Sequence, residues 1–129
     1  MTAVDTNVLV RIVVNDDPAR SARAAEFLRQ QHRVFLAKTV LLEVEWILRS
    51  AYRLGRREIL AILRGILAIG SAEVEDEAAV VQAMRWYEEG MDFADALHMA
   101  SAGTQRFVTF DRALQERARR LGIAKIALL

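Results

Sequence analysis

The chain has no cysteine, one proline in 129 residues and only two lysines, Lys38 and Lys125. Without cysteine there are neither disulfides nor thiolate metal sites, and with two histidines any metal set is essentially oxygen. The lone proline, Pro18, follows Asn15-Asp16-Asp17 and marks a helix start, so no Pro-rich linker is present. Repeats and low-complexity segments are absent as well, and no apolar run approaches the length of a transmembrane helix. Val8–Val14 is largely apolar, but Arg11 interrupts it, Asp5 precedes it and no basic segment comes first. It therefore does not read as a signal peptide. These absences predict a cytoplasmic, unprocessed protein with no membrane partner.

Hydrophobic residues make up 53% and charged residues 27%, a balance that predicts a soluble globular chain rather than a disordered one. The length suits one domain spanning 1–129 and is too short for two ordinary ones. Of the basic residues all but the two lysines are arginine, whose planar fork suits phosphate, yet a net charge of +1 selects no nucleic-acid partner by itself. Arg49, Arg53, Arg56 and Arg57 form the densest basic cluster. A solvated helix C-terminus accounts for it as readily as an RNA or partner contact does. Trp46, Trp86 and Tyr87 fall on helices and read first as core or interface.

Short apolar runs alternate with helical patterns. Strands are predicted over Thr2–Val4, Val34–Ala37, Ala72–Glu75, Arg106–Phe110 and Ile123–Leu128. Helices are predicted over Asn7–Val14, from Pro18 to about Gln31, and from Val40 to about Tyr52. Further helices follow over Arg57–Ile69, from Asp76 to about Glu89, after Gly90, and over Ala113–Leu121. Asp17, Thr39, Asp76 and Asp92 stand as N-caps, and Gly55 is read as closing the third helix. Ala22, Ala25 and Phe27-Leu28 are assigned to the inner side of the second. This alternation predicts an α/β fold with a short, mostly parallel central sheet flanked by helices on both faces.

In such folds the ligand site lies outside the carboxyl ends of the strands. Asp5 and Asp111 each follow a predicted strand directly. Glu43 lies early in the helix after the second strand, and Asp95 in the first turn of the helix opened by Asp92. Each aspartate doubles as a plausible helix cap. Glu43 sits past the capping region, but a helical wheel does not separate it from Glu45. Carboxylates gathered at one edge repel unless protonated or bridged by a cation. An all-oxygen set suits Mg²⁺ or Mn²⁺, ions that promote phosphodiester hydrolysis without a covalent nucleophile.

Asp5-Thr6-Asn7-Val8-Leu9, Leu42-Glu43-Val44, Asp92-Phe93-Ala94-Asp95-Ala96-Leu97-His98 and Thr109-Phe110-Asp111-Arg112 resemble, in order and spacing, the signature stretches of PIN-domain ribonucleases. The nearest resemblance is to the VapC toxins of bacterial toxin–antitoxin modules. The resemblance implies that Asp5, Glu43, Asp95 and Asp111 are an acidic catalytic quartet binding Mg²⁺ or Mn²⁺. Asp5 and Asp95 would be the principal metal ligands, with Glu43 and Asp111 in support. It further implies that Thr6, Asn7 and Thr109 buttress the loops by hydrogen bonds. Asp92 would serve as cap or outer neighbour before ligand, and His98 would pack beside Asp95. RNA is the implied substrate, a homodimer the implied assembly and a VapB antitoxin the implied inhibitor. Leu42, Trp46 and Ile62 are the residues expected to receive that antitoxin.

Two other readings fit the residues less well. A Mg²⁺-dependent phosphatase with an aspartyl nucleophile at Asp5 wants a second acid where Asn7 stands, and a lysine that is hard to place. A non-catalytic RNA-binding module sits poorly with four intact acids.

Overall fold

Asp5 ends the first strand and starts the first helix. In the computed structural model, which describes all residues from Met1 to Leu129, β1 (Thr2–Ala3) gives way to α1 (Thr6–Val13) as the Asp5 carboxylate accepts the Thr6 N–H at 2.7 Å. α2 (Pro18–Gln30) begins as the sequence predicts: Asp17 accepts the Arg20 N–H at 3.1 Å and Pro18 occupies the first turn, where its missing N–H costs nothing. Then come β2 (Val34–Leu36), α3 (Lys38–Ser50), α4 (Arg56–Leu67), β3 (Ala72–Val74) and α5 (Glu77–Glu88). The chain closes with α6 (Phe93–Ser101), β4 (Phe107–Thr109), α7 (Arg112–Arg120) and β5 (Ile126–Leu128). The architecture is α/β and every strand pair is parallel.

The chain divides into two compact units, Met1–Glu75 and Asp76–Leu129. The first holds the three-stranded ladder β1-β2-β3, in which Thr2 pairs with Val34 and Val34 with Ala72. Parallel pairing puts the three carboxyl ends on one edge, so Asp5, the start of α3 and Glu75 all follow that edge. α1 packs against both α2 and α3, and α3 against α4. Leu9, Val34, Leu36, Leu41, Val44, Leu48, Ile59, Leu63 and Ile66 are fully buried in this unit. Each such side chain contributes about 1.5–3 kcal/mol of apolar burial.

The second unit is an α5–α6 hairpin together with the two-stranded ladder β4-β5, on which α7 packs. Tyr87 and Phe93 meet edge to face across the hairpin at 5.4 Å, an arrangement favoured by the ring quadrupoles. At the far end of α6, the Lys125 ammonium donates to the Met99 and Gly103 carbonyls. The Met99 carbonyl belongs to the last turn of α6, whose carbonyls need donors from outside the helix, and Gly103 lies just past its C-cap.

Three local expectations change. Thr39 is not the cap of α3: the N-cap is Ala37, without a side-chain bond, and Glu75 Oε1 accepts the Lys38 N–H at 2.9 Å instead. Gly55 is the N-cap of α4 rather than the stop of α3, with the Glu58 carboxylate reaching back to its N–H at 3.5 Å. Asp76 stands at the N-cap of α5 in a left-handed conformation, φ 49°, and makes no side-chain cap bond. α2 also buries less than expected. None of its residues is fully buried, and Ala22 is exposed.

Candidate functional site

In the first unit the candidate residues are Asp5 and Glu43. Asp5 spends Oδ1 on the Thr6 N–H, and its other oxygen has no protein partner. Capping and ligand binding are therefore compatible at this carboxylate. Glu43 lies on the exposed side of α3 with no hydrogen bond or ion pair, whereas Glu45 is buried and bonded to Arg49 Nε at 2.9 Å. The wheel leaves these two glutamates equivalent; the fold separates them. Glu45 is committed to structure, and Glu43 is free.

Thr6 departs from its expected role. Its side chain is buried and Oγ1 has no hydrogen-bond partner, so it does not buttress the loop by that bond. Asn7 is exposed and makes no side-chain hydrogen bond either. Thr109 Oγ1 accepts the Asp111 N–H at 3.0 Å.

In the second unit the carboxylates crowd. Met91 and Phe93 are buried on either side of Asp92, which turns the Asp92 side chain outward at the head of α6. Its Oδ2 accepts the Asp95 N–H at 3.1 Å, the N-cap geometry anticipated for this stretch. Asp111 caps α7 in the same manner, accepting the Leu114 N–H at 3.0 Å. Asp95 is half-buried and accepts no protein hydrogen bond. Burial pushes its carboxyl above the usual range, the negative charges of Asp92 and Asp111 push it further, and His98 pulls it back down. His98 is exposed one turn along α6 and acts on Asp95 through charge.

No three carboxylates or histidines form a ready-made ion cage. The donor chemistry nevertheless fits a hard divalent cation. Every candidate ligand is a carboxylate with at least one oxygen unused, and the like charges around Asp95 are what a cation would neutralise.

The sequence model of the PIN domain matches residues 2–120. The chain belongs to the PIN domain family. PIN domains are in general metal-dependent nucleases, and the match runs from β1 to the last residue of α7, taking in Asp5, Glu43, Asp95 and Asp111. No curated relative matches the chain. None of the helices is long and apolar enough to cross a membrane.

Sequence reasoning missed Glu75, the acid that caps α3. Its signal was an acid at the carboxyl end of a predicted strand, close to the feature that drew attention to Asp5 and Asp111. It missed the gain from Gly90 as well. That residue has φ +105°, and a Cβ on it would lie 2.6 Å from Arg117 Nη1, which itself donates to the Glu89 carbonyl at 3.4 Å. Glycine lets the chain turn from α5 into α6 with the guanidinium laid against the turn.

Proposed function

We propose that this PIN domain is a divalent-metal-dependent endoribonuclease of the VapC toxin type, a single domain working in the cytoplasm as a homodimer. One observation carries the reading: the four acids of the family's order each retain a free carboxylate oxygen at a strand end or early in a helix. The proposed catalytic acids are Asp5 and Glu43 in the first unit, and Asp95 and Asp111 in the second. Asp5 and Asp95 would be the principal ligands of Mg²⁺ or Mn²⁺, with Glu43 and Asp111 in support. A cation bound there supplies Lewis acidity toward an RNA phosphodiester and lowers the pKa of a water.

The chain's own residues then have separable tasks. Asp92 holds the first turn of α6 by its cap bond and keeps Asp95 at the helix mouth. Thr109 fixes the turn that presents Asp111. The unpaired Glu43 is available to accept a proton or orient a water, which the ion-paired Glu45 is not. A VapB-like antitoxin is the proposed inhibitor, and Trp46, 57% exposed on α3, supports a protein contact beside Glu43.

Induced expression in bacteria, wild type beside Asp5→Asn and Asp95→Asn, with sequencing of new RNA 5′ ends, tests the reading. Growth arrest with discrete cuts, lost in both variants, is the expected result. Arrest that survives both substitutions would place the activity on another surface and overturn it.

A further inference from the structure

A cleft of about 620 Å³ opens beside Asp5, between the end of β1, α1 and α2. That volume falls within the range of about 300–1,000 Å³ typical of small-ligand sites. The face that α2 turns to it is Arg20, Arg23, Ala24 and Phe27. These positions lie at i, i+3, i+4 and i+7 along one flank of α2. The stripe that α2 turns inward is Ser21, Ala24, Ala25 and Leu28, all partly buried, and the exposed Arg20 and Arg23 stand at its margin, on the rim of the cleft.

The charges around the cleft are unequal in their commitments. Arg11 is held by Asp16 at 2.6 Å and by the Tyr52 hydroxyl at 2.8 Å. Arg20 makes only a loose, exposed pair with Asp17 at 3.5 Å, the kind of pair that contributes little. Arg23 has no ion pair or side-chain hydrogen bond and is exposed. Two available guanidiniums thus stand one turn apart on the same helix face, and Phe27 lies a further turn along, half-buried. A basic track with an aromatic at its end is how single-stranded nucleic acid is held without base-specific contacts.

We infer that this cleft is the substrate track: Arg20 and Arg23 bind backbone phosphates of single-stranded RNA flanking the phosphodiester presented to Asp5, and Phe27 stacks on a base. The inference rests on the ribonuclease reading for its substrate class, yet it is tested by binding alone.

The experiment measures fluorescence anisotropy of a labelled single-stranded oligoribonucleotide, without divalent metal, on Asp95→Asn protein over a range of salt. Adding Arg20→Ala with Arg23→Ala should weaken binding at least about tenfold and reduce the slope of log K against log salt by about 1.4, two phosphates' worth. Arg20→Lys with Arg23→Lys should keep most of the slope, while Phe27→Leu should weaken binding and leave the slope unchanged. The double Arg106→Ala, Arg112→Ala protein serves as control and should stay within about twofold. Unchanged affinity and slope in the alanine double variant, with a wild-type circular dichroism spectrum, would overturn the track. So would normal RNA binding combined with loss of the dimer or of an inhibitor complex, which would assign the cleft to protein. If the arginine effects hold but no RNA is cut in Mn²⁺, the nuclease reading fails and the track stands. If cleavage needs the acids but the arginine variants leave KM unchanged, the track fails alone.

Discussion

Asp92 both caps and burdens Asp95. Through Oδ2 it accepts the Asp95 N–H at 3.1 Å, fixing the first turn of α6, while its charge helps raise the Asp95 carboxyl that the turn presents. A bond that stabilises the helix therefore holds two like charges together. On the proposed reading, a cation bound by Asp95 would offset that repulsion.

Asp95 should titrate above the ordinary carboxyl range, and Asp92→Asn or Asp111→Asn should each lower its value, as read by side-chain carboxyl NMR. A carboxyl with a raised folded-state pKa binds its proton more tightly when folded. Its stabilising contribution is complete below the unfolded value and is lost as pH rises through the folded one. The change in thermal stability caused by Asp95→Asn should thus be more favourable at neutral pH than in acid. A stability difference that does not vary with pH would contradict this account.

Glu43→Gln and Glu45→Gln should separate activity from stability. Glu43 is unpaired and exposed, so its substitution should leave the melting temperature within a degree or two and lower RNA cleavage by about 10²-fold or more. Glu45 is buried against Arg49, whose side chain remains half in water, so Glu45→Gln should cost about 1–2 kcal/mol in denaturant titration. The reverse pattern would exchange the roles of the two glutamates.

Gly90→Ala should destabilise the protein by about 1–3 kcal/mol, combining left-handed strain with displacement of Arg117. Pairing it with Arg117→Ala should recover part of that loss, namely the steric part. A double-mutant cycle with no coupling would show that the guanidinium does not press on the turn.

Thr6→Val tests the idle hydroxyl. Replacing a buried, unpartnered hydroxyl with a methyl should be neutral or stabilising by about 1 kcal/mol in thermal unfolding. Loss of RNA cleavage in a variant of full stability would mean that the hydroxyl finds its partner only when substrate or metal is bound.

Several elements were legible in the sequence because their signals are local. Asp17-Pro18 and Asp92 through Asp95 carry their own capping chemistry, and both helices begin where those residues require. The alternation of short apolar runs with helices was enough for an α/β chain with parallel strands, and the spacing of Asp5, Glu43, Asp95 and Asp111 for the PIN resemblance. The cap of α3 was not legible. Glu75 lies 37 residues from the Lys38 N–H it accepts, and only pairing of β2 with β3 brings them together. Thr39, the local candidate, was never in the capping position.

The resemblance pointed to Glu43 where the wheel could not, and only the tertiary structure shows why the two differ: Glu45 is buried against Arg49 and Glu43 is exposed, because that depends on which side of α3 meets the core. It also decided that Thr6 is buried without a partner and that Arg20 and Arg23 of α2 stand at the rim of the cleft beside Asp5. The physical division is plain. Helix starts, strand runs and the order of acids are set by neighbours in the chain. Burial, ion pairing and the raised carboxyl of Asp95 are set by groups the chain brings together only when it folds.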